Sequence, residues 1–247
     1  MNRKPVSYLQ TDPRWKERDY SAPGEKTTIG RSGCGPTCAA MLIETLTGKT
    51  FTPADACAWA LKRGYKAANQ GTYYSYFKPQ FAAYGLSCEQ LSWSNVYGKP
   101  NDPVHKKAFD LLKQGYYLIA CMGKGTWTSS GHYVVVWWAD GKVRINDPNS
   151  TISYRVNGDP ATFKKQVKYY WAVDARKYNQ ECDDMTKEEV IKIIQEYEAE
   201  KAKKPADSWA KSAWAKVKAK GVMDGTMPKS PVTREQLSAI LDRLGLL

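Results

Sequence analysis

Residues 131–148 read "GHYVVVWWADGKVRINDP", two runs of aromatic and β-branched residues on either side of Asp140-Gly141. An Asp-Gly pair between such runs is the signature of a two-residue hairpin turn of type I′, so the stretch predicts two antiparallel strands. The turn also fixes the register. Val134 then faces Asp147, and His132 and Asp147 become diagonal neighbours, roughly 7–8 Å or less apart at Cβ. Val134, Val136, Val143 and Ile145 share their face, while Asn146 points the other way. A slip of one residue would exchange Asp147 for Asn146.

The stretches "YYLIACMG" (116–123) and "YYWAVD" (169–174) add further strands. Upstream, the pattern is helical. "CGPTCAAMLIETLTG" runs to a stop at Gly48, and "FTPADACAWALKRG" opens with Thr52 as cap and Pro53 in the first turn. Two more helical patterns lie near 74–84 and at 102–114, the latter opening on "NDP" and closing at Gly115. Helices that precede the strands, in place of βαβ alternation, predict an α+β fold with an antiparallel sheet.

Residues 175–184 form a boundary. Beyond it, "TKEEVIKIIQEYEAEKAKK" has Thr186 and Glu189 as a capping box and Val190, Ile193, Ile194 and Tyr197 on one face. Pro205 then introduces two short amphipathic helices in a segment too small to bury much alone. The expected organisation is a domain at 1–178, a connecting helix or linker at 179–204, and a small all-α unit at 205–247 that docks or self-associates, with a homo-oligomer possible.

At 247 residues and 42% hydrophobic, the chain can bury a full core. Its longest apolar runs fall far short of the ~18 residues of a membrane span, and "MNRKPVSYLQ" has no apolar signal-peptide core. The expectation is a protein made in the cytoplasm without membrane insertion. The six cysteines are scattered without a CxxC pair beside only two histidines, which indicates neither a zinc framework, a disulfide scaffold nor a cofactor site. Charge is uneven: residues 1–182 hold 25 Lys and Arg against 14 Asp and Glu, a net of +11, whereas 183–247 hold 12 against 11. A basic body suits an anionic partner, nucleic acid or acidic cell wall, or serves solubility alone. No nucleic-acid recognition motif is visible, so no nucleic-acid partner is expected.

"IGRSGCGPTCAAM" (29–41) places Cys34 at the mouth of a helix, where orphan N–H groups and the dipole lower a thiol pKa. Gly33 and Gly35 permit a sharp turn and close approach to a substrate. Cys34 is either a nucleophile or a small residue in a glycine turn; Cys38, one turn further in, should face the core. Of the two histidines, His105 lies in the polar helix "PVHKKAFDLLKQ" and reads as solvent-exposed. His132 is left as the base, and with Asp147 it completes a Cys-His-Asp arrangement.

In this order and spacing, "YLQTDPRW", "SGCGPTCAAM", "GHYVVVWW" and "NDPNS" resemble the bacteriocin-processing branch of papain-like cysteine peptidases over about residues 6–175. The resemblance implies a papain-like fold, Cys34 as nucleophile, His132 as base and Asp147 as the residue that orients it. Papain-like enzymes also use a glutamine as oxyanion donor, usually six residues before the cysteine; that position is Thr28, and Gln10 is the nearest substitute. The segment "SWAKSAWAKVKAKGVMDGTMPKSPVTREQLSAILDRL" (208–244) is similar to one S-layer homology unit, which implies wall-polymer contacts through Trp209 and Arg234. Together these resemblances imply a phage-type endolysin, a peptidoglycan hydrolase acting on the wall after release or from outside, with peptidoglycan and anionic wall polymer as partners. The alternatives are a peptidase or acyltransferase that processes a protein or peptide, and a non-catalytic wall-binding protein.

Overall fold

The computed structural model describes residues 3–180 and 187–247. They fall into two compact units, Met1–Cys182 and Asp183–Leu247. The first opens with α1 (Ile29–Ser32), α2 (Cys34–Thr47) and α3 (Pro53–Lys62). α2 ends where Gly48 turns left-handed at φ 66°, and α3 begins with a capping box between Thr52 and Asp55 and with Pro53 in its first turn. A 3₁₀ turn at Tyr74–Tyr76 leads into α4 (Phe77–Ala82), followed by β1 (Cys88–Gln90) and α5 (Pro103–Lys113), whose first turn is capped by the Asp102 carboxylate.

The sheet is completed by β2 (Tyr117–Met122), β3 (His132–Ala139), β4 (Lys142–Asn146) and β5 (Val167–Val173), with α6 (Ser153–Val156) and α7 (Pro160–Gln166) before the last strand and α8 (Arg176–Gln180) after it. Strand order is β1-β5-β2-β3-β4, and every neighbouring pair is antiparallel. Asp140 and Gly141 both have positive φ, 52° and 70°, as a type I′ turn requires. The register follows from that turn, pairing Ala139 with Lys142, Val136 with Ile145 and Val135 with Asn146.

Both faces of the sheet are covered. On one, Tyr117, Ile119, Tyr133, Val135 and Trp171 pack with Met41, Leu42 and Ile43 of α2 and with Phe77 and Phe81. On the other, Leu118, Ala120, Val134, Val136 and Tyr170 pack with Ala108 and Leu112 of α5 and Phe163 of α7. Burial on both sides explains why β2 reads as an unbroken apolar run rather than an alternating one.

His105 is not the exposed residue expected. It is 1% exposed, with Nδ1 against the Tyr170 hydroxyl at 2.9 Å and Nε2 against the Lys99 carbonyl at 3.1 Å. His105, Ala108 and Leu112 recur at helical spacing and form the face that α5 lays on the sheet, so a polar-looking helix carries its histidine inward.

The first unit also runs past residue 178. Asn179 is buried, donates to the Gly115 carbonyl at 2.9 Å and accepts from the Arg3 amide at 3.1 Å. The second unit contains α9 (Lys187–Ala202), α10 (Lys211–Ala219) and α11 (Arg234–Arg243). Thr233 and Gln236 form a capping box at α11, and Trp214 Nε1 donates to the Gly225 carbonyl at 3.3 Å. Val190, Ile193, Ile194 and Tyr197 of α9 are exposed. Of the capping box expected for that helix, Thr186 lies outside the described residues and nothing is described of the Glu189 side chain.

Replacing His105 with alanine removes two hydrogen bonds, strands the Tyr170 hydroxyl and leaves a cavity. Chemical denaturation should show a loss of about 2–3 kcal/mol. An unchanged midpoint would contradict the buried placement.

Candidate active site

α2 is held where it starts by a tight junction with α1. A Cβ at Gly33 would stand 2.7 Å from the Ile29 carbonyl oxygen, while its φ of −87° is open to any residue. Glycine is therefore required for close approach and not for a left-handed backbone. The junction sets Cys34 in the first turn of a 14-residue helix, where the N–H groups have no intrahelical partner and the dipole favours an anion.

Cys34 is buried, with the His132 side chain beside it. Burial alone pushes a thiol up. Here it is outweighed by the bond to His132, the charge of His132, and the N–H groups of Tyr133 and Gly35, so Cys34 lies below the ordinary thiol range. Cys38 is as deeply placed without such partners, and burial with the nearby Cys34 and Asp147 charges pushes it far above that range. It packs in the core, as expected.

His132 opens β3, and its Nε2 lies 2.7 Å from Asp147 Oδ1, which leaves Nδ1 for the thiol. Burial works against the imidazolium, yet the bonds to Asp147 and Cys34 and the charges on both raise His132 to about 9. The two shifts together describe a thiolate–imidazolium pair.

Asp147 follows directly on β4, and its side chain has no solvent exposure. Oδ1 also accepts from the Asn149 amide at 2.8 Å. Oδ2 accepts from Arg155 Nε at 2.7 Å and Nη2 at 2.6 Å. Arg155 stands on α6, donates to the Trp127 carbonyl at 2.8 Å, and returns its own carbonyl to Trp127 Nε1 at 3.0 Å. Asn146 faces away: its Nδ2 donates to the Pro5 and Val6 carbonyls of the N-terminal segment, and its Oδ1 accepts from Trp137 Nε1 of β3.

Gln10 comes to the same end of the molecule. Its backbone N–H donates to the Pro148 carbonyl at 2.7 Å, and its Nε2 to the Gly30 carbonyl at 2.9 Å. That donor is committed to Gly30, Oε1 is buried without a partner, and Gln10 does not line the cleft. Trp209 and Arg234 belong to the second unit, where Trp209 is 86% exposed and Arg234 is the exposed first residue of α11.

Cys34 and His132 open onto a cleft of about 920 Å³ bounded by residues from 24–34, 67–74 and 130–133, with Cys121 and Lys168. Among the described residues, no group of three or more His, Cys, Asp or Glu side chains is gathered to hold a metal ion. Sequence spacing marks neither Arg155, nor the Tyr133 amide, nor the pair of Glu25 in the cleft wall with Lys66 behind it. The Tyr133 amide and the Lys66–Glu25 pair join segments far apart in sequence, and Arg155 is an unremarkable arginine on the short helix α6.

An α+β fold in which a helix start presents a thiol to a carboxylate-backed histidine on an antiparallel sheet defines the papain-like cysteine peptidase class. A model of the family described as Peptidase_C39 like family matches residues 10–178, and the chain belongs to that family of cysteine peptidases. A comparison with curated proteins finds no match.

Iodoacetamide should alkylate Cys34 first, in a Cys182→Ser background that removes the one cysteine outside the described residues. Burial pushes Cys38, Cys57, Cys88 and Cys121 upward, so they should react only on unfolding. The alkylation midpoint should fall below the ordinary thiol pKa of about 8.5, and turnover should decline as pH rises through about 9, where His132 loses its proton. A midpoint at the ordinary value would exclude the ion pair.

Arg155→Ala should lower kcat on the order of tenfold, about 1.4 kcal/mol in the barrier, with KM little changed, because Asp147 loses the partner that fixes its carboxylate. Arg155→Lys keeps the charge without the paired geometry and should fall between. Unaltered kcat in both variants would show that Asp147 is positioned without Arg155.

Proposed function

We propose that the protein is a peptidoglycan hydrolase of the endolysin type, opening an amide bond of the bacterial wall. The observation that carries the chemistry is the chain Cys34–His132–Asp147 opening onto the cleft. Wall as substrate is supported by the basic first unit and by the second unit's likeness to an S-layer homology repeat.

In this reading the Cys34 thiolate attacks the amide carbonyl carbon, and the developing oxyanion is met by the Cys34 N–H at the helix start. Gln10 would join the Cys34 N–H only after a rearrangement that frees its Nε2 from the Gly30 carbonyl and brings it into the cleft. The His132 imidazolium protonates the leaving nitrogen as the C–N bond breaks, leaving a thioester on Cys34. His132, now neutral, takes a proton from water, whose oxygen attacks the thioester and releases the acid and the thiolate. Asp147 keeps Nε2 engaged throughout, so that Nδ1 faces the sulfur. Trp209 and Arg234 hold anionic wall polymer, and the site of action is the wall itself.

Turbidity of a Gram-positive cell suspension and mass analysis of released muropeptides test the reading. Wild-type protein should release fragments carrying one new amine and one new carboxylate, while Cys34→Ala and His132→Ala should be inactive and folded. Asp147→Ala should lose far more turnover than Asn146→Ala. A chain ending at Cys182, which keeps Asn179, should cleave soluble fragments but act more weakly on cells. Trp209→Ala or Arg234→Ala should reproduce part of that weakness. Intact walls after prolonged incubation, with cleavage of a peptide substrate instead, would replace this reading with a protein-processing one.

A further inference from the structure

The cleft in front of Cys34 carries an unusual balance of charge. Beyond the Cys34–His132 pair, its charged lining residues are Glu25, Lys26, Arg31 and Lys168. Glu25 is spent internally. Its carboxylate accepts the Ala22 amide at 2.8 Å, the Asn69 amide and the Lys66 ammonium, and these contacts hold it down at about 2 against the cost of burial. Lys66 is buried behind the wall and also bonds the Ala67 and Gln70 carbonyls, both at 2.7 Å.

Lys26, Arg31 and Lys168 have no carboxylate partner among the described residues. On the same unit Arg14, Lys78, Lys106 and Arg176 pair with Asp12, Glu89, Asp110 and Asp174, whereas Lys49 and Lys107, among others, have no such partner among the described residues, so the three cleft cations are set apart by lining one concave site. The three unpaired cations come from two directions. Arg31 lies on α1, three residues before Cys34, with Lys26 in the loop that precedes it; Lys168 lies on β5 and acts on the Cys121 thiol that also lines the cleft. A concave site with one uncompensated sign of charge concentrates ligands of the other sign.

We propose that the substrate of this cleft is an anionic peptide, bearing a free carboxylate close to the scissile amide, which Lys26, Arg31 and Lys168 hold across the Cys34 sulfur. The inference rests on the thiol chemistry proposed above and adds a requirement to it. The same amide flanked by a carboxamide in place of the carboxylate lacks the charge and is a poorer substrate. Tyr73 and Tyr74 supply the apolar surface beneath the chain.

Two alkylating reagents of nearly equal size read the field without any assumption about substrate. Iodoacetate is an anion and iodoacetamide is neutral. The ratio of their rates at Cys34 should fall roughly tenfold when Lys26→Gln, Arg31→Gln and Lys168→Gln are combined, and part of the way in each single variant, with circular dichroism unchanged. Added salt should lower the ratio in the wild type and leave the triple variant nearly flat. In parallel, a synthetic stem peptide with its glutamate α-carboxylate free and the same peptide amidated are compared as substrates. Wild type should favour the free acid through KM, and the triple variant should lose that preference.

A wild-type rate ratio that none of the variants changes would overturn the proposal. A ratio that falls as expected, with neither wall peptide cleaved, would remove the wall reading and leave the anionic-substrate assignment standing for another peptide.

Discussion

A carboxylate with no solvent exposure needs partners that replace its water, and Asp147 is such a group. One oxygen faces His132 and the Asn149 amide, the other the Arg155 guanidinium, so its lone pairs are taken by charge-assisted bonds from opposite sides. To bring these partners together the chain must pair β3 with β4 in one register, turn at Pro148, and send α6 back beneath Trp127. The N-terminal segment is tied to the same corner through Gln10 and Pro148. Loss of any one of these would leave a buried charge short of a partner.

What that carboxylate does for the thiol is seen by comparing two cysteines on one helix. Cys34 and Cys38 are four residues apart, both are buried, and burial acts on both in the same direction. Only Cys34 meets His132 and the free N–H groups at the helix start, and only Cys34 ends below the ordinary range. Cys38, one turn inward among alanines, has no donor aimed at it and behaves as a small apolar residue. Position within a single helical turn therefore separates an anion from a core filler.

The parts of this arrangement that could be read from sequence are those set by local rules. Asp140-Gly141 dictates a turn type, the turn dictates a register, and the register brings His132 and Asp147 to one place. Helix starts at Cys34, Pro53 and Pro103 are announced by glycine, by a capping threonine and by a capping aspartate. Arg155 could not be read in this way, because its partner is chosen by how α6 folds back and nothing in "TISYRV" distinguishes it from a surface arginine. His105 carries two conflicting signals: its spacing to Ala108 and Leu112 marks a buried face, while the lysines around it suggest solvent, and burial prevails. The β1 edge strand, three residues long, is created by pairing with β5 and has little signal of its own.

The buried Lys66–Glu25 pair has the same long-range character and a separate consequence for the cleft. An ion pair removed from water contributes little net stability, since desolvation offsets most of the attraction. Its effect here is geometric. Lys66 ties the 66–70 turn to the loop carrying Glu25, and Glu25 returns bonds to the Ala22 and Asn69 amides, so two walls of the cleft are fixed against each other. Because this one carboxylate is consumed in building the wall, it is not free to neutralise Lys26, Arg31 or Lys168 in front of it. The contact that joins the two walls thus also leaves the charge of Lys26, Arg31 and Lys168 without a free carboxylate beside it.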